Sequence, residues 1–257
     1  MSFKLSNRAR DRMVAIASPV ALLLLWEISA RLDWIDVRFF PAPSSIAVKF
    51  VELARSGDLW TNLWASLQRL FWGFLLGGIP AIGLGIAMGL YRPIRAAIDP
   101  LVSATYPIPK SAILPLILLI FGLDEASKIV MVALGVFYPV IINTMGGVLQ
   151  IQKIYLDVGK NFRASRWQTF RTIALPGALP NIMTGIKLGV GMGLILIAIA
   201  EMVGAKNGIG FMIWDAWQVL SVETMYVGLV VIAILGFLLT LVLNEIEGWI
   251  LPWKHEP

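Results

Sequence analysis

Few residues in this chain could do chemistry, and several of those lie in costly places. Lys110, Lys187 and Glu201 each fall inside or at the edge of an apolar run. An ionisable group in such a run is a candidate for function, because burying its charge is expensive. The competing reading is a side chain that snorkels, its stem among apolar neighbours and its charge in water. Both readings stay open for Lys110 and Glu201, and Lys187 is read as snorkelling. Cysteine is absent, and the one histidine, His255, sits in the C-terminal tail. Disulfide frameworks, thiolate or histidine metal clusters and histidine-based triads are therefore excluded. No Gly-x-x-x-x-Gly-Lys-Ser/Thr phosphate loop occurs, so the chain cannot itself be an ATPase. No catalytic, cofactor-binding or metal-ligating set emerges.

The elements that must carry these residues follow from hydropathy. Hydrophobic residues make up 58% of the chain and charged ones only 14%. A soluble domain carries about a quarter charged residues, so much of this chain faces lipid. The net charge of +5 sits in short stretches between apolar runs. A nucleic-acid binder would instead show a basic patch on a polar surface, so nucleic acid is not an expected partner. In lipid a long apolar run must satisfy its own backbone, which makes it helical, and roughly 20 residues span. The candidates are 13–32, 70–90, 128–149, 182–203 and 225–249. A further run, 101–121, is interrupted by Pro107, Pro109, Lys110 and Pro115 and counts as a broken sixth span. The expected fold is all-α, a polytopic membrane helix bundle. No internal repeat is evident, so residues 1–257 read as one domain.

Lys and Arg set the orientation. They cluster before the first span (Lys4, Arg8, Arg10, Arg12), after the second (Arg92, Arg95) and after the fourth (Lys153, Lys160, Arg163, Arg166, Arg171). The alternate connections are acidic or mixed, with Asp33, Asp36, Arg38, Lys49, Glu52, Arg55 and Asp58, then Asp124 and Glu125, then Lys206, Asp215 and Glu223. Both termini are therefore expected in the cytoplasm. The first run has a basic start like a signal peptide, but its length and Glu27 argue against cleavage.

Two glycine series, Gly73, Gly77, Gly85, Gly89 and Gly185, Gly189, Gly193, recur at helical spacing. Such spacing puts small residues on one face and lets backbones approach closely, which supports a compact bundle. Pro80, Pro107, Pro109, Pro115 and Pro139 break or bend apolar helices. Broken helices are tolerated in membranes where protein or a water-filled path takes up the freed polar groups, as in transporters. Lys110, Asn143 and Glu201 are the candidates to border such a path.

The connection from Asp157 to Arg171 is long and carries Phe162, Trp167 and Phe170 among basic residues. Two short amphipathic helices are expected, about 155–162 and 166–172, broken near Arg163–Ser165, with Ser165 capping the second. Exposed aromatics there point to a docking surface for another protein. The alternative is a segment lying on the anionic leaflet.

That connection resembles the coupling motif of ABC importer permeases, written E-A-A, three residues, G, about nine residues, then I-x-L-P. Ala164-Ser165-Arg166-Trp167-Gln168-Thr169-Phe170 with Ile173-Ala174-Leu175-Pro176 follow it. The likeness continues at Pro41-Ala42-Pro43-Ser44, at Pro109-Lys110-Ser111-Ala112-Ile113-Leu114-Pro115-Leu116, and at Phe121-Gly122-Leu123-Asp124-Glu125-Ala126-Ser127-Lys128. It extends to Phe137-Tyr138-Pro139 with Asn143-Thr144, and to Ala200-Glu201 with Asn207-Gly208-Ile209-Gly210. The resemblance is to the branch importing nitrate, bicarbonate, taurine or aliphatic sulfonates. Two departures stand out: the opening E-A-A is Asp157-Val158-Gly159, and Arg163 occupies the glycine position, where a turn often needs φ > 0.

The resemblance implies a type I ABC importer permease (MetI-like) architecture in a bacterial inner membrane. It implies coupling helices at about 152–174, with Asp157, Gly159, Phe162, Arg163, Ala164, Ser165, Arg166, Trp167, Phe170, Leu175 and Pro176 in the coupling element. The implied partners are a second copy of the permease, two ATP-binding cassette subunits, a periplasmic or lipid-anchored solute-binding protein, and membrane lipid. ATP and Mg would be bound by the partner ATPase, with no cofactor in this chain. The rival classes are an ion-coupled secondary transporter, which needs no such cytoplasmic hairpin, and a membrane-embedded enzyme, whose clustered acid, base or metal residues are not visible.

Overall fold

The computed structural model describes residues 7–252. Lys4 and His255 lie outside them, as do the side chains of Arg8, Arg10 and Arg12. All regular structure among the described residues is helical: α1 Asn7–Arg31, α2 Pro43–Ser56, α3 Asp58–Leu90, α4 Arg92–Thr105, α5 Lys110–Phe121, α6 Glu125–Leu149, α7 Lys153–Asn161, α8 Arg166–Thr169, a π-helical turn Phe170–Ala174, α9 Leu175–Gly204, α10 Ile209–Gln218 and α11 Val222–Ile250.

Among the described residues five segments are long and apolar enough to span: Met13–Arg31, Asp58–Leu90, Glu125–Leu149, Arg166–Gly204 and Val222–Ile250. The pair α4 and α5, bent by 100°, makes a sixth if it is one broken span. The break expected within 101–121 falls at 106–109, but its first arm starts at Arg92 rather than 101. Pro107 and Pro109 fall together at the break, each without an N–H to donate. Pro80, Pro115 and Pro139, also expected to break or bend helices, lie inside α3, α5 and α6, and Pro93 sits in the first turn of α4, where a missing donor is harmless. Helix α3, at 33 residues, also begins well before the expected span. At 1.5 Å per residue it is about 50 Å long, more than the roughly 30 Å hydrocarbon core requires. Helices α2 and α10 lie in connections where composition showed only charge and turn residues.

Two compact units divide the chain, Thr61–Phe211 with Val231–Pro257, and Met1–Trp60 with Met212–Val230. In the larger unit α6 is the central helix, held between the two glycine series. On α3, an added Cβ at Gly73 would strike Val132, at Gly77 the backbone of Ala133, at Gly85 Thr144 and at Gly89 Val148. On α9, a Cβ at Gly185 would meet Asn143 at 2.9 Å and at Gly189 Val140 at 3.2 Å, while at Gly193 it would come nearest Leu70 of α3 at 3.0 Å. The buried seam includes Val132, Val136, Val140 and Ile141 of α6, with Leu70 and Ala81 of α3 and Leu194 and Ile197 of α9. Lipid tails offer no hydrophobic drive between helices, so this close packing supplies the attraction.

In the smaller unit Glu27 accepts bonds from the Ser44 amide (3.0 Å) and hydroxyl (2.8 Å) and pairs with Arg31. Tyr226 lies 5.5 Å from the Trp26 ring and donates to the Phe39 carbonyl. Trp34, Phe39 and Trp60 remain exposed, as aromatics at a membrane–water boundary do.

Candidate functional site

The α7–α8 connection is a backbone-locked elbow. The Arg163 N–H donates to the Lys160 carbonyl at 2.9 Å and the Ala164 N–H to that of Gly159 at 2.8 Å. This pair of bonds is a Schellman closure, which places its C′ residue in the left-handed region. That residue is Arg163, at φ 51°. The turn thus has the geometry that favours glycine and is made by arginine. Ser165 then caps α8: its hydroxyl accepts the Gln168 N–H (3.2 Å), and the Gln168 side chain accepts the Ser165 N–H (2.7 Å), a reciprocal capping box.

Beyond the elbow the second expected short helix is not separate. Residues 170–174 form a π turn that runs directly into α9. Pro176 cannot donate to the preceding turn, and the wider turn, with the Leu175 N–H on the Phe170 carbonyl, accommodates it. Helix α8 is therefore the tip of a spanning helix. Gly159 seats α7 on it, since a Cβ there would come within 2.9 Å of the Ile173 side chain. Of the small residues usual at the motif's start, this is the one the packing uses. Asp157 is half-buried, with Lys160 Nζ 3.7 Å from its carboxylate.

The three aromatics divide. Phe162 is 84% and Trp167 65% exposed. Phe170, expected to be exposed, is half-buried against Ile86, Val148, Ala174 and Ile182, beside Leu175. It forms the stacked base under Trp167, ring centroids 5.2 Å apart. Arg166 lies over the Tyr91 ring at 5.8 Å, Ala164 and Pro176 are half-buried, and Arg163 is exposed. On the other side of α7 a hollow of 470 Å³ is lined by Ile151, Tyr155, Val158, Ile173 and Pro176, among others.

The charged residues of the spans prove to have different partners. Lys110 is 9% exposed and does not snorkel. Its ammonium donates to the carbonyls of Thr105 (2.8 Å), Tyr106 (3.1 Å) and Ile108 (3.0 Å), and sits 4.0 Å from the centre of the Tyr138 ring. Asn143 returns a bond to the Pro139 carbonyl one turn back and stays half-exposed. Lys187 pairs with Glu247 of α11 rather than reaching for an interface.

Glu201 is 1% exposed, and its carboxylate is fully engaged. It accepts from Arg69 (2.8 Å), the Ser66 hydroxyl (2.8 Å) and the Gly210 N–H (2.9 Å). Arg69, 2% exposed, also holds Glu125 through two bonds of 2.6 Å, and the carbonyl and side-chain oxygen of Asn207. Asn62 accepts the Gly208 N–H. Gly208 has φ 121° and any Cβ there would collide with the Glu201 carboxylate, so glycine is required twice over. Glu201, a candidate path residue from the sequence, is part of a polar knot tying α3, α6, α9 and the α9–α10 loop together.

Residues 81–255 match the family described as binding-protein-dependent transport system inner membrane component. The chain belongs to that family. It is 34% identical to the taurine transport system permease protein TauC of Escherichia coli (strain K12), over 96% of this chain and 92% of TauC. It is 30% identical to the nitrate import permease protein NrtB of Synechocystis sp., over 100% of this chain and 94% of NrtB. A chain of the MetNI methionine ABC transporter in an inward facing conformation shares the fold, with a TM-score of 0.56 at 22% identity, covering 77% of this chain and 95% of that one. The protein is thus a multi-pass permease subunit of an ABC importer in the inner membrane. It is non-catalytic and carries no cofactor; a separate ATPase and a solute-binding protein are its partners.

Arg69, Ser66 and Asn62 of the permease were missed from sequence because they precede the run that reads as a span. A signal existed: polar residues at 62, 66 and 69 recur at helical spacing between Leu59, Leu63, Leu67 and Leu70.

Proposed function

We propose that the permease forms, with a second copy of itself, the membrane path for a small solute that carries an anionic group. The candidates are an organic sulfonate (taurine included), nitrate or bicarbonate, delivered by the solute-binding protein. The names of the taurine and nitrate relatives support this class. Residues 1–257 act as one permease domain, with both termini in the cytoplasm and the elbow facing two ATP-binding subunits. Lys110 and Asn143 border the path.

The observation that carries the coupling role is the exposure of Phe162 and Trp167 on an elbow whose backbone is locked on both sides. A closing ATPase needs a handle that transmits force, and α8 is continuous with α9. Moving the elbow therefore moves a span. Differential contacts of the ATPase with this surface in its open and closed states would then shift the path between accessible sides.

The test is co-expression with the ATP-binding subunits and reconstitution into liposomes. ATP-driven uptake of a sulfonate or nitrate from a loaded binding protein, by a complex holding two copies of each subunit, is expected. Uptake restricted to solutes that carry no anionic group would overturn the anion reading. For orientation, Lys206→Cys should react with an impermeant thiol reagent from outside and Lys160→Cys should not, in a protein with no native cysteine.

A further inference from the structure

The bend between α4 and α5 contains an unneutralised charge. Residues 103–109 and 111–112 are exposed, and 106–109 are not helical. Lys110 ties this bend to Tyr138, near the middle of α6, so the open backbone lies at the depth of the hydrocarbon core. Lipid does not tolerate irregular backbone at that depth; it occurs only where protein covers it or water lines it. Three carbonyls around Lys110 Nζ require three N–H donors, which only the charged ammonium has. Among the described residues no carboxylate pairs with it; Arg69 and Lys187 are both paired, and Lys128, likewise held by carbonyls, sits in the first turn of α6 rather than near its middle. Aromatic rings flank it, with Tyr106 exposed and its ring 5.9 Å from that of Tyr138.

We infer that Lys110 is the charge-selecting residue of the solute path. Its ammonium is held at mid-depth beside a water-lined bend, where it attracts the sulfonate, nitrate or carbonate-type anion of a passing solute and repels cations. All three N–H groups already serve carbonyls, so the attraction is exerted through the field rather than by a direct hydrogen bond. A firm hydrogen bond would hold the solute, and a field lets it leave. The inference rests on the anion-import reading above. The competing account is that Lys110 only closes carbonyls freed by Pro107 and Pro109.

The experiment uses Ser111→Cys, on the exposed bend, in the complete transporter in liposomes. Two water-soluble methanethiosulfonates of similar size serve as probes, one carrying a sulfonate and one a trimethylammonium group. Both should react, and the ratio of anionic to cationic rates should exceed that of free cysteine by about tenfold. Adding Lys110→Gln, which keeps two donors but no charge, should bring the ratio down to the free-cysteine value, and Lys110→Arg should preserve it. Failure of both reagents to react would mean the bend is covered by protein and would overturn the proposal. A ratio unmoved by Lys110→Gln would leave Lys110 a purely structural clasp. If the glutamine variant does not assemble, the ratio in the Ser111→Cys protein alone decides, a value equal to free cysteine refuting the charge. A cationic solute in the uptake assay would sink the anion reading separately, without altering these ratios.

Discussion

Two arginines mark opposite uses of polarity in one permease. Arg69 is buried, and all five of its donors are spent on Glu125, Glu201 and Asn207. Arg163 is exposed, and what is fixed there is its backbone, held in the left-handed region by two carbonyl contacts. Around Arg69 the polar side chains of Ser66, Glu125, Glu201 and Asn207 each bond a partner in the same chain, Glu125 from an exposed position. Around Arg163 the large side chains, Phe162 and Trp167, face outward. A saturated polar knot holds helices together, while a rigid backbone under bare aromatics presents a surface. The difference separates what keeps this permease folded from what lets another protein move it.

The contrast is most easily broken at the knot. Arg69→Met would strand the Glu201 carboxylate, and removing one partner of a buried ion pair costs about 3–5 kcal/mol. A large drop in the thermal unfolding midpoint of the purified transporter is expected, and a change within error would mean the knot holds nothing. Next in size, Trp167→Ala should cost about 2 kcal/mol or more in binding the ATP-binding subunits, as truncated aromatic anchors do. Co-purification yield and coupled uptake should fall with the unfolding midpoint unchanged; normal assembly would favour a membrane-surface role for the elbow.

Two smaller effects sharpen the elbow itself. Gly159→Val should push α7 off Ile173 at about 1–3 kcal/mol, the usual cost of overpacking. Protease sensitivity at 150–165 should rise, and an unaltered digestion pattern would count against α7 being seated there. Smallest of all, Arg163→Gly should relieve left-handed strain and stabilise by about 1 kcal/mol. A small rise in midpoint with normal coupling is the expected result, and a fall would mean the arginine side chain contributes more than its backbone costs.

The amino-acid sequence by itself determined the features that depend on near neighbours. Spans followed from runs of apolar residues, and the all-helical class from the need to satisfy each backbone within its own segment. The capped start at Ser165 and the break near Arg163 were legible because caps and turns are made within a few residues, whereas the left-handed φ of Arg163 came only from the structure. The glycine series announced close packing, because spacing by four marks one helix face whatever lies opposite. Tertiary structure alone decided what lies opposite. Glu201 could not be told from a path residue until Ser66, Arg69 and Gly210 were brought to it from other helices. Lys187 could not be told from a snorkelling lysine until α11 supplied Glu247. Phe170 and Trp167 carry the same aromatic signal, yet one faces Ile86 and Val148 and the other is open. A buried charge shows its cost in the local sequence, but the group that offsets the cost can come from anywhere in the chain, and only the fold brings the two together.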